Sequence, residues 1–122
     1  MRDRLAGNLI LKLIEETSRR SIAWSIEDVP AWFGGDSDEV INLFLVTSYR
    51  DQRIAVYEAR FRHFIDEQNF SWLSTVRIAL LDNGGRLLWR YEGDDKELQE
   101  LFQDARRSLA EVDAFLKQFR TL

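Results

Sequence analysis

Cysteine is absent from the chain, and histidine and proline each occur once. Without cysteine the protein has no disulfide bonds and no thiolate metal ligands. With a single histidine it cannot form the common zinc sites that use two histidine ligands. We therefore predict no bound metal and no cofactor. A cysteine-free chain fits a reducing compartment, so we expect a cytoplasmic location.

Long apolar runs are also missing. The N-terminal stretch MRDRLAGNLILKLIEE is basic and then apolar, but Asn8, Lys12 and Glu15 interrupt it. A membrane-spanning helix needs about 20 consecutive, predominantly apolar residues. The stretch therefore predicts an amphipathic helix rather than a signal peptide, and we expect no membrane partner.

Lysine is scarce relative to arginine. Of 17 basic residues only Lys12, Lys96 and Lys117 are lysines, and the formal net charge is -4. A negative net charge argues against a nucleic-acid partner. The arginine content reflects either codon bias or the use of planar guanidinium groups to recognise anions and aromatic rings.

The composition and length predict one soluble domain over residues 1–122. Hydrophobic residues make up 45% of the chain and charged residues 31%, as in ordinary globular proteins. Helical spacing of apolar residues indicates a first helix over 5–19. Alternating apolar residues then indicate a short strand over 22–26 and a series of longer strands as far as residue 91.

The C-terminal segment predicts the longest helix of the chain. Asp94 is the expected N-cap, with Glu97 three residues later. Such a segment either packs on a sheet or forms a coiled coil, and we favour packing. The predicted fold is α+β: an N-terminal helix, a mainly antiparallel meander of about five strands, and a long C-terminal helix, with both helices on one sheet face. The apolar stripe of the last helix consists of Leu98, Phe102, Ala105, Leu109, Val112, Leu116 and Phe119, and of these we expect Leu98, Phe102, Leu109, Val112 and Leu116 to be buried.

A polar turn over 66–69 predicts how the two central strands pair. If this turn closes a hairpin, Tyr57 lies opposite Ile78 on the core face. On the outer face, Glu58 then lies opposite Arg77, as a cross-strand charge pair.

The predicted outer face combines arginines with an apolar strip, a composition typical of protein interfaces. Two aromatic residues in the loop before the first long strand are further candidates for contact with a partner. The same pattern also fits a solvated amphipathic face. The predicted interface consists of Phe44, Val46, Ile54, Val56, Glu58, Arg60, Arg62, Arg77 and Arg90 on the sheet, with Trp32 and Phe33 in the loop.

Signatures of catalysis are weak. His63, Asp66 and Ser71 supply the residue types of a hydrolase triad, but no nucleophile-elbow motif surrounds the serine, and we expect His63 on the core face. The acidic loop around Asp36 and Asp38 is too short for a calcium-binding loop. We predict no catalytic residues and no metal ligands.

We therefore expect a non-enzymatic binding or adaptor module that forms a homodimer through a sheet face or edge, with a second protein as a further candidate partner. One alternative is a small enzyme that uses Glu58 with an arginine, or His63, on an unidentified substrate. The size, acidic charge and open sheet with helices resemble those of small bacterial chaperones of secretion effectors, which implies a chaperone-like module as another alternative. A third is nucleic-acid binding by arginines interleaved with aromatic residues.

Overall fold

The computed structural model describes residues 3–30 and 39–121. Within these residues it contains an N-terminal helix, a sheet of five antiparallel strands in sequential order, and further helices after the sheet. The prediction of an α+β fold with an antiparallel meander is confirmed. The elements are α1 (Arg4–Ser18), β1 (Ser25–Ile26), β2 (Val40–Tyr49), β3 (Gln52–Phe64), β4 (Phe70–Leu81), β5 (Leu87–Glu92), α2 (Lys96–Ser108), α3 (Ala110–Leu116) and a short 3₁₀ helix (Lys117–Phe119).

The first helix begins at a capped end and packs on the sheet together with α2. The Asp3 carboxylate accepts hydrogen bonds from the backbone N–H groups of Leu5 and Ala6, at 3.0 and 3.2 Å. A buried apolar cluster joins both helices to one face of the sheet, and each fully buried Leu or Ile contributes about 1.5–3 kcal/mol. Its main members are Ile10 and Leu13 of α1, Leu98, Leu101 and Phe102 of α2, and Leu45, Ile54, Val56, Val76 and Ile78 of the sheet.

The prediction of one long C-terminal helix is wrong. The helix ends at Ser108, because Leu109 has an extended conformation with φ -57° and ψ 139°, and a separate short helix follows. The Ser108 hydroxyl donates to the carbonyl of Ala105, so this side chain bonds to the last turn of α2. The longest helix is α1, with 15 residues.

The break at Leu109 divides the predicted apolar stripe into a buried part and an exposed part. Leu98 and Phe102 are buried, and Leu109 itself is also buried. Val112 is only half-buried, and Leu116 is 44% exposed. The expectation that the whole stripe packs on the sheet is therefore correct for α2, holds in part for Val112, which packs against the buried cluster, and is wrong for Leu116 and Phe119.

The predicted register between β3 and β4 is also wrong, by one residue. Tyr57 pairs with Arg77, and Val56 pairs with Ile78. The cause lies in the turn: the Asp66 carboxylate accepts from the backbone N–H groups of residues 68 and 69, and the loop is one residue longer than expected. A slip of one residue moves every side chain of β3 to the opposite face.

Candidate binding surface

The sheet face opposite the helices does not present the predicted apolar strip to solvent. Ile54 and Val56, expected on this face, lie instead under the helices and are 1% and 0% exposed. Phe44 and Val46 do lie on the outer face, but they belong to a second buried cluster against which Val29 packs. The apolar centre of this face is therefore buried within the chain.

Arg77 lies on the outer face, as predicted, but its partners are not the predicted one. Its Nε donates to Glu92 at 2.6 Å, and its two terminal nitrogens lie 2.5 and 3.2 Å from the carboxylate of Glu39. Burial alone would lower the pKa of Arg77, but the hydrogen bonds with Glu39 and Glu92 raise it above its ordinary value. The guanidinium thus ties the segment before β2 to β4 and β5, which is a structural role.

Next to Arg77, the hydroxyl of Tyr57 lies within the buried outer cluster. Burial raises the pKa of Tyr57 above its ordinary value, while hydrogen bonding to Arg90 opposes this shift. Arg90 lies on the outer face, as predicted; it pairs with Ala79 and is exposed. Arg90 therefore lies at the edge of this buried cluster and does not form a separate arginine patch.

Glu58 lies on the helix side of the sheet, where it lines a polar cleft of about 200 Å³. The cleft lies between the sheet and α2 and is also lined by Asp94. Sites for small molecules usually enclose about 300–1,000 Å³, so this cleft is smaller than a typical one. The predicted pair of Glu58 and Arg77 is absent, since the two side chains lie on opposite faces.

The residue types of the hydrolase triad are close in the structure but do not form a triad. His63 and Ser71 are cross-strand partners at the end of the hairpin, and both are exposed, so the expected core position of His63 is wrong. The carboxylate of Asp66 accepts hydrogen bonds from Gln68 and Asn69 instead. Hydrogen bonding to Asn69 lowers the pKa of Asp66, which suits a turn-stabilising carboxylate.

The end of the β3–β4 hairpin projects beyond the neighbouring strands. β2 pairs with β3 only as far as Arg60, and β5 pairs with β4 only from Arg77 onwards. We call residues 61–74, which lie between these limits, the hairpin arm. Its exposed large apolar residues are Phe64, Ile65, Phe70, Trp72 and Leu73, which are between 43% and 70% exposed.

One side of the hairpin arm carries three aromatic rings and Arg62, and Arg60 lies on the same side just before the arm. The rings of Phe64 and Phe70 are 5.7 Å apart, and those of Phe70 and Trp72 are 6.0 Å apart at an angle of 84°. The guanidinium of Arg62 lies 5.6 and 5.5 Å from the two phenylalanine rings, and that of Arg60 lies 5.4 Å from the Trp72 ring. Each exposed cation–π contact contributes about 0.5–1 kcal/mol. We call these five residues the aromatic patch.

The aromatic patch brings together residues that the sequence had assigned to two different faces. Arg60 and Arg62 were expected on the outer face, and Phe70 on the core face. The shifted register places all of them on the helix side of the sheet. Aromatic and arginine side chains are the residue types most enriched at protein interfaces.

Several other expectations concern residues or properties outside this surface. Trp32, Phe33, Asp36 and Asp38 lie outside the described residues. Within 3–30 and 39–121, no group of three His, Asp or Glu side chains is placed to hold a metal ion. No helix in the same ranges is long and apolar enough to cross a membrane.

No protein-family model matches the chain, and searches of curated proteins and of solved structures also return no match. The function must therefore be inferred from the chain's own surfaces.

Proposed function

We propose that the protein is a non-enzymatic binding module that self-associates through the hairpin arm. The observation that carries the proposal is the aromatic patch, where Phe64, Phe70 and Trp72 are 53%, 44% and 45% exposed on one side of the arm. Monomeric proteins rarely expose contiguous apolar surface of this kind unless it contacts a partner.

The apolar residues of the hairpin arm lie outside the buried core, so they contribute little to the stability of the fold. Neither buried cluster of the sheet includes any residue between 60 and 75. Truncation of these side chains should therefore affect association much more than folding. Residues with that property are typical of a binding surface.

The experiment is sedimentation velocity over a wide range of protein concentrations. We expect the wild-type mass to rise from that of one chain to that of two. Phe70→Ser should weaken association at least tenfold, because it removes a central ring of the aromatic patch. Phe115→Ser is the matched control, since Phe115 is a 58% exposed phenylalanine on α3, and it should associate as the wild type does.

A wild-type mass of one chain at every concentration contradicts self-association. Equal weakening by Phe70→Ser and Phe115→Ser contradicts the assignment to the arm. Circular dichroism of both variants, with unchanged spectra, excludes unfolding as the cause.

A second candidate function is binding of single-stranded nucleic acid, because arginines interleaved with exposed aromatic rings also form base-stacking platforms. The net charge of -4 and the acidic turn residues Asp66 and Glu67 weigh against it. Fluorescence anisotropy with a labelled oligothymidylate tests this candidate. Binding that weakens with salt and is lost in Trp72→Ser would favour it over self-association.

A further inference from the structure

The edge of β4 is covered along only part of its length. On the side of β4 away from β3, β5 pairs with residues 77–81, and no described strand pairs with residues 70–76, which we call the β4 edge. The side chains of residues 70–74 are exposed. An open groove of about 790 Å³ lies near this part of the hairpin and is lined by residues of both β3 and β4, by Glu39 and by the segment 92–94. Among residues 3–30 and 39–121, no strand occupies the space beside the β4 edge.

Backbone hydrogen-bonding groups point into this space. The turn between β2 and β3 contains two residues, both with positive φ, so the residues that flank it exchange two backbone hydrogen bonds. Along each strand the backbone N–H and C=O groups of successive residues point alternately to the two neighbouring strands. Counting from that pair, the groups of the odd-numbered residues of β3 and β4 point towards each other. The N–H and C=O groups of Phe70, Trp72 and Ser74 therefore point towards the open side of the sheet.

The β4 edge has none of the features that protect strand edges from pairing. Its sequence, FSWLSTV, contains no charged residue, no proline and no glycine. Natural edges are guarded by such residues, by bulges or by shortness. The two outermost strands of this sheet do have such features: β1 has only two residues, and β5 carries Arg90 and Glu92. The projecting part of β3 carries Arg62.

We propose that the β4 edge pairs antiparallel with the β4 edge of a second copy of the chain, which joins two sheets into one. This inference rests on the proposed self-association and specifies how it occurs. Each copy would supply the strand that the other lacks, so the unpaired N–H and C=O groups of both edges would be satisfied.

The β4 edge is complementary to itself, which is why the occupant is a second copy. A twofold axis beside Leu73 pairs even-numbered residues only with even-numbered ones. The even-numbered residues are those whose backbone groups point outward, so these groups can bond to each other across the axis. Trp72 then lies beside Ser74 of the second copy, and Ser71 lies beside Thr75. Trp72 thus meets a small side chain, Phe70 lies beside Val76, and the two hydroxyl residues form a favourable cross-strand pair. The segment has no charge, so no like charges meet.

The absence of cysteine from the chain allows a direct test by single-cysteine cross-linking. At a twofold axis beside Leu73, the two Leu73 Cα atoms form a non-hydrogen-bonded pair about 4.5 Å apart. This separation lies within the range of disulfides. Leu73→Cys should therefore form a covalent dimer under mild oxidation, with at least ten times the yield of a matched control. The control is Leu88→Cys, since Leu88 is a 59% exposed leucine on β5.

A second variant, Ser71→Cys with Thr75→Cys, checks the same register without removing an apolar side chain. Its two cysteines lie too far apart along one strand to join within a chain, but they meet across the axis. If neither variant cross-links although the wild type sediments as a dimer, edge pairing is wrong and self-association stands. If the wild type is a monomer at every concentration, both proposals fail. Cross-linking of Leu88→Cys alone would assign the contact to β5.

Discussion

Replacing Leu98 and Leu116 separately with alanine tests whether the C-terminal segment is one helix or two. Both leucines belong to the same apolar stripe in the sequence. In the structure Leu98 is 0% exposed within the main cluster, whereas Leu116 is 44% exposed on α3. A continuous helix on the sheet would make the two substitutions about equally costly.

The structure gives the two substitutions very different costs. Leu→Ala removes three carbon atoms, which corresponds to about 2.4 kcal/mol of transfer free energy when all are buried. At Leu98 a cavity term adds to this, so we expect a loss of about 3–5 kcal/mol. At Leu116 part of the side chain is already exposed to solvent, and solvent fills the space that the substitution leaves. We therefore expect a loss of about 1 kcal/mol or less in the free energy of unfolding. The first value is a large fraction of a typical total stability of about 5–15 kcal/mol.

The assay is urea unfolding followed by far-UV circular dichroism, with the slope of the transition compared among the variants. An unchanged slope licenses reading the midpoint shift as a change in the free energy of unfolding. Equal losses for Leu98→Ala and Leu116→Ala would show that the stripe is buried throughout, and the helix break at Leu109 would then be wrong.

The remaining predictions concern the face assignments and the ion pairs. Val56→Glu should abolish cooperative unfolding, because Val56 is 0% exposed and a carboxylate there has no partner; a folded variant with weakened association would restore the predicted outer-face interface. Glu39→Gln should lower the free energy of unfolding by about 1–2 kcal/mol through loss of a charged hydrogen bond to Arg77, and an unchanged urea midpoint would contradict this. Hydrogen bonding to Arg20 lowers the pKa of Asp113 from 3.8 to about 2, so its stabilising effect is present above pH 3.8 and is lost as the pH falls towards 2. Asp113→Asn should therefore be less stable than the wild type at pH 5 and equally stable near pH 2, and a constant difference across this range would refute the pairing.

The alternation of apolar residues correctly predicted the class of fold and, for β4, which side chains face the core. The even-numbered residues of β4, such as Ile78, were expected in the core and are buried there. The faces of β3 were inverted because its register depends on the number of residues in one turn. The Asp66 carboxylate fixes that number through local hydrogen bonds, and strand periodicity carries no information about it.

The helix break and the hairpin arm were missed for different reasons. No glycine or proline between 96 and 119 marks the break at Leu109, so the heptad spacing continues through it. The arm exists because β3 and β4 have 13 and 12 residues, whereas β5 has 6. The lengths of the apolar runs contained this signal, since a strand longer than its neighbours must project beyond them.

Amide hydrogen exchange along β4, measured by NMR at low and high protein concentration, tests the central claim most directly. If two copies join at the β4 edge, the amides of Phe70, Trp72 and Ser74 should exchange more slowly as concentration rises. The amides of Ser71 and Leu73 already bond to β3 and should change much less. Exchange of the even-numbered amides that stays the same at concentrations where the protein is dimeric would contradict association through this edge.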